Sequence, residues 1–158
     1  MRRAISSFAA LGAVLLMAVP AQAAGAGAIS FTQTFHNATM TLVDSPNPCT
    51  GVPGDGTLTY NGVAHVTVLS NQTGWETFTA TGDLNILQDD GVTYTGSFTN
   101  WDGFNFNLQN ATGTGTFIVH ATGSDGSTVD FHGVFHMTVL FTSPTPTVVV
   151  QFNMGTCS

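Results

Sequence analysis

Thr128 to Thr142 alternates with a period of two, and no other feature constrains the fold as tightly. Val129, Phe131, Gly133, Phe135, Met137, Val139 and Phe141 share one parity. Thr128, Asp130, His132, His136, Thr138 and Thr142 share the other, with Val134 and Leu140 as exceptions. Successive side chains of a strand point to opposite faces, so this run predicts a strand with one buried face. The pattern recurs. Leu58, Tyr60, Ala64, Val66 and Val68 oppose Thr57, Thr59, Asn61, His65 and Thr67; Phe78, Ala80, Leu84 and Ile86 oppose Thr77, Thr79, Thr81, Asp83 and Asn85. Val92, Tyr94 and Phe98 oppose threonines and Ser97, Phe104, Phe106 and Leu108 oppose Asn105, Asn107 and Gln109, and Val148, Val150 and Phe152 close the series.

Turn chemistry separates these runs. Asn71 to Gly74, Asp89-Asp90-Gly91, Asp102-Gly103 and Ser124 to Ser127 read as hairpin turns, and Ser143 to Pro146 as a stiffer connection. Ile29 to Val43 is also a strand, but Phe31 and Phe35 take one parity and Met40 and Leu42 the other, which predicts a bulge near His36-Asn37. The expected fold is all-β: about eight antiparallel strands in a meander, closed as a small barrel, with a two-sheet sandwich as the alternative way to hide the edges. Val92 to Phe98 and Val129 to Phe135 both read Val-x-aromatic-x-Gly-x-Phe. Inward glycines there would let rings lie over the backbone.

Composition matters first at the amino terminus. Arg2 and Arg3 precede an apolar run, Ala4 to Val19, and Pro20-Ala21-Gln22-Ala23 ends in a small-x-small cleavage pattern. Residues 1–23 thus read as a signal peptide, and 24–158 as one exported, extracellular β-domain. The twin arginines suggest the twin-arginine route, but the Ser before and the Phe-Leu after that such signals usually show are missing, so ordinary Sec export is expected. Those two arginines are also the only cationic side chains, against nine carboxylates. With no Lys or Arg beyond residue 3, nucleic acid and anionic membrane surfaces are excluded as partners. Phosphoryl transfer and lysine Schiff-base chemistry are excluded on the same ground. A ligand, if there is one, is expected to be neutral or cationic, a glycan or small apolar molecule being the natural classes. Export makes a disulfide between the two cysteines, Cys49 and Cys157, the expected pairing.

Few residues suggest chemistry. Asp130 and His132, two apart on one strand face, would hold a metal if His120 or His65 came alongside. His132 and His136 sit roughly 13 Å apart on a strand and cannot share an ion. Solvent-facing strand histidines are the simpler reading, so no metal and no cofactor is expected. Glu76, the only glutamate, adjoins Trp75, a combination able to shape a sugar site, and an Asp meeting Glu76 in space would make a carboxylate pair. Trp101 beside Asp102-Gly103 would be a recognition residue if exposed at a turn, or a plug over a barrel end. Trp75, Glu76 and Trp101 are therefore the ligand-binding candidates, and no motif supplies a catalytic nucleophile. The Thr-rich outward parity fits an exposed pleated surface or a flat glycan-binding face.

Three stretches, Phe35 to Gly51, Gly91 to Thr99 and Gly113 to His136, resemble a group of small secreted actinobacterial proteins of β-barrel type, a resemblance that implies no activity. Thr116 to Val119 before an Asp-Gly turn is similar to a hairpin of the avidin family, without counterparts of its pocket tryptophans. The general style is similar to dirigent and allene-oxide-cyclase barrels. These readings imply a non-enzymatic exported binding or surface module, with a barrel isomerase or cyclase holding an acid–base group in its lumen as the alternative. A small membrane barrel, with parity inverted, ranks third.

Overall fold

The computed structural model describes residues 27–141 and 147–158. The signal segment and the Ser143 to Pro146 connection lie outside the described residues. Seven strands follow in chain order: β1 Ile29–Pro46, β2 Pro53–Val68, β3 Gly74–Gln88, β4 Thr93–Phe106, β5 Asn110–Gly123, β6 Thr128–Leu140 and β7 Thr147–Cys157. Each pairs antiparallel with its sequence neighbours in a single meander sheet. The two-sheet alternative is therefore not the architecture. Among the described residues no ladder joins β1 to β7.

Seven strands stand where eight were expected because Asp102-Gly103 is not a turn. Both residues lie inside β4, paired with Phe78 and Thr77 of β3. Gly103 lacks the positive φ that tight hairpins demand, whereas Gly91 and Gly126 have it, at 89° and 87°, in turns that do close hairpins. Parity runs unbroken through the misread site: Tyr94, Phe98, Asn100, Asp102 and Phe104 are all buried on one face. The bulge expected in β1 is present, with the register slipping between Phe35 and Ala38 and Asn37 at φ 48°. A second slip lies between Leu42 and Ser45, where Asp44 has φ 50°.

The inner face is mainly apolar and curls around one core. Leu42 of β1, Leu58 of β2, Phe78 and Leu84 of β3, Phe98 of β4, Phe117 and Val119 of β5 and Val129 of β6 meet in it. Glycines admit the large rings. A Cβ on Gly113 would stand 2.3 Å from the Phe104 ring, and one on Gly133 would stand 2.6 Å from the ring of Phe131. The glycine of the matching motif in β4 serves a different approach: a Cβ on Gly96 would meet the carbonyl oxygen of His120 at 2.0 Å. The disulfide between Cys49 and Cys157, with Cα atoms 5.7 Å apart, ties the β1–β2 turn to the end of β7. That tie draws the two ends of the meander together.

The outer face is a threonine lattice. One row runs in register Thr41, Thr57, Asn85, Thr95, Thr122 and Thr128 from β1 to β6. A single row at the other end of the sheet, Ser30, Thr67, Trp75, Asn105, Thr112 and Thr138, carries cross-strand hydroxyl contacts, Ser30 to the buried Thr67 at 2.7 Å and Thr112 to Thr138 at 3.1 Å. Branched hydroxyl side chains fit an exposed pleat, where the methyl packs and the oxygen stays wet.

Candidate functional site

Strand alternation places consecutive residues on opposite faces, and this divides the Trp75-Glu76 pair. Trp75 stands on the outer face, 43 % exposed; Glu76 points into the interior, 1 % exposed. The two do not form one sugar site. Trp101 is likewise an outer-face residue in the middle of β4, 45 % exposed, and neither caps a turn nor plugs an end. Its ring leans over Gly103, with Cζ2 3.8 Å from the position a Cβ would take there and the Thr77 methyl on the same spot at 3.9 Å. In register, Trp101 faces Thr79 and Trp75 faces Asn105. The two indoles thus stand four residues apart along neighbouring strands, a Cα offset of roughly 13 Å. Between them lie Thr77, Thr79, Gly103 and Asn105, none charged. A band of exposed apolar side chains continues from Trp101 in register: Val63 on β2, Val134 on β6 and Met154 on β7, with Thr79 and Thr116 interleaved.

Inside, the structure brings Glu76 to Asp102, whose Asp-Gly step predicts a turn. Glu76 pairs with Phe104 and Asp102 with Phe78, so the acids are diagonal neighbours on the inner face of β3 and β4. Cα atoms so placed lie about 7–8 Å apart, within reach of long side chains. Asp102 is 1 % exposed. Its Oδ2 accepts a hydrogen bond from Asn100 Nδ2 at 2.8 Å, in a fully buried pair. Oδ1 of Asp102 and both carboxyl oxygens of Glu76 are buried without a hydrogen-bond partner. Burial disfavours the charged form, and the like charge of Asp102 adds to it, pushing Glu76 up to about 7 from 4.5. Burial also raises Asp102 to about 6 from 3.8, against a lowering pull from the Asn100 hydrogen bond. Buried polar groups are normally satisfied, so three orphan carboxyl oxygens in one place call for an explanation. Local turn chemistry points to Asp102 as a turn residue and gives Asn100 no role. Their shared parity with Tyr94, Phe98 and Phe104 is the signal that could have revealed them.

The metal candidates separate. His120 Nδ1 meets Asp130 Oδ1 at 2.5 Å across the β5–β6 ladder, an exposed outer-face pair. His132 is also exposed, two residues along β6, and pairs in register with Ile118. His65 lies on β2, with Nδ1 2.9 Å from Thr32 Oγ1, and β3 and β4 intervene. Among the described residues no three His, Cys, Asp or Glu side chains gather as metal ligands.

Two hollows are lined without either buried acid. A small apolar cavity of about 40 Å³ lies at the disulfide end among Leu42, Leu58, Tyr94, Phe117 and Val129. A wider open cleft of about 320 Å³ follows the β1 bulge, along Phe35, His36, Asn61 and Thr79. No protein-family model, no curated protein and no solved structure matches this chain.

Proposed function

We propose that the protein is an exported β-barrel binding module that takes a neutral glycan on its outer face, with Trp75 and Trp101 as stacking residues. The carrying observation is the exposure of both indoles in mid-strand, on a face whose intervening residues are hydroxyls, a glycine and an amide. Sugar rings present C–H faces to aromatic planes and hydroxyls to polar neighbours, so an uncharged aromatic and threonine surface is complementary to them. The lack of Lys and Arg beyond residue 3 disfavours anionic polymers and leaves neutral ones. Barrel closure is supported by the curl of the sheet around a common core and by the disulfide that joins its ends. Secretion is supported by the signal-like segment at residues 1–23 and is consistent with the disulfide.

The alternative, a lumenal isomerase or cyclase, has its acid–base groups in Glu76 and Asp102. Their 1 % exposure favours surface binding, because a substrate does not reach them in this conformation. The outward threonines and inward phenylalanines also run opposite to the parity of a membrane barrel.

Sedimentation with insoluble chitin, cellulose and cell-wall glycan tests the proposal. The protein is expected to co-sediment with at least one of them, and the W75A and W101A variants are expected to lose at least tenfold in affinity. Equal retention of both variants and the parent protein, or no binding to any polymer, would remove the reading.

A further inference from the structure

We propose that Glu76, Asp102 and Asn100 form an interior site for a hard divalent cation, calcium foremost, independent of the outer face. Three buried carboxyl oxygens point into the interior with no hydrogen-bond partner. Burying a carboxylate is costly unless it is paired or coordinates an ion. This chain has no side-chain cation with which to pair it: its two arginines are Arg2 and Arg3, in the signal-like segment. The histidines do not serve either. His36, His65, His120 and His132 are exposed, and His136 faces outward beside Thr114. Neutralisation therefore comes from protons or from an ion bound out of solution.

The donors favour a particular kind of ion. The two carboxylates offer oxygen only, the ligand type of calcium, magnesium and manganese rather than of zinc or copper, and Asn100 Nδ2, donating to Asp102 Oδ2, holds one of them in place. The setting favours a small occupant. Across β5, the residues that pair with Phe104 and Asp102 are Gly113 and Gly115, which bring no side chain into the space. The rings of Phe104 and Phe135, their centroids 6.4 Å apart, cover those glycines. An ion fits so sealed a place better than an organic molecule does. Waters or backbone carbonyls would complete the coordination shell, as they commonly do for calcium.

Thermal denaturation at pH 8 tests this with the full mature protein, stripped with chelator and then given calcium, magnesium or manganese alone at millimolar concentration. The melting temperature is expected to rise by roughly 4–8 °C with at least one of these ions, and to climb further with its concentration, as linkage requires. Glu76→Gln and Asp102→Asn are each expected to abolish the ion-dependent rise, whatever they do to the metal-free melting point. Asp89→Asn with Asp90→Asn, on an exposed turn, is expected to keep it. Isothermal titration provides a second readout that does not depend on the melt. No ion-dependent shift and no heat with any of the three ions would overturn the proposal. So would a shift that survives both interior variants.

Discussion

Glu76 and Asp102 lie diagonally across the β3–β4 ladder, sealed inside the sheet, with one buried hydrogen bond between them and their surroundings: that from Asn100 to Asp102. Three of the four carboxyl oxygens of the pair are buried without a hydrogen-bond partner, and the consequences are measurable.

The first consequence is a stability that falls as pH rises. Both folded-state values, about 7 and about 6, stand above those of the unfolded chain. Between about pH 4 and pH 7 the native protein therefore binds more protons than the unfolded one. The stability tied to the neutral carboxyls is complete below about pH 4 and is lost as pH rises through 6 to 7. In chelator, chemical denaturation is expected to show a loss of about 5 kcal/mol between pH 4 and pH 8 from this pair, somewhat more than half of it from Glu76. Glu76→Gln is expected to remove most of that slope and to be more stable than the parent at pH 8.

The disulfide closes a loop with a sequence separation of 108 residues. The chain-entropy account gives such a loop roughly 4–5 kcal/mol of stabilisation. Cys49→Ser with Cys157→Ser is expected to cost about that much in urea denaturation, and reduction of the parent protein is expected to match it.

Glycines on the two faces are expected to differ. A Cβ on Gly115 would sit 2.4 Å from the Phe135 ring and 2.7 Å from the Trp101 carbonyl oxygen. Gly115→Ala is expected to cost about 1–3 kcal/mol through overpacking. A Cβ on Gly103 would meet nothing closer than 3.6 Å. Gly103→Ala is expected to stay within about 0.5 kcal/mol of the parent. Paired urea melts would check both.

The His120–Asp130 pair is short but exposed on both sides. Exposed ion pairs contribute little, because water screens them and ordering the side chains costs entropy. His120→Ala is expected to change stability by less than about 1 kcal/mol, measured by the same melts at pH 6 and pH 8.

Much of this fold was legible in the residues because burial on one face writes a period of two into a strand. The segment Thr128 to Leu140 and the bulge at Asn37 were readable on that basis, and so was the Cys49–Cys157 bond, as the one pairing two cysteines allow. The candidate site was not, for a physical reason. Asp-Gly is turn chemistry in isolation, yet the tertiary environment of β4 overrides that local preference and runs the strand straight through Asp102 and Gly103. Polar residues on the inward parity look like the end of a strand when they are instead its buried middle. Trp75 and Glu76 misled in the converse way: adjacency in the chain suggested a shared site, and the pleat separated them.

The most direct test of the account is a carbon-detected NMR titration of the side-chain carboxyls in calcium-free buffer, with Glu76 and Asp102 assigned from the Gln and Asn variants. Sealed in the interior, Glu76 is expected to titrate near pH 7 and Asp102 near pH 6. Midpoints for both in the ordinary carboxylate range, about 3.5 to 4.5, would mean that water reaches them and would contradict the inner face described here.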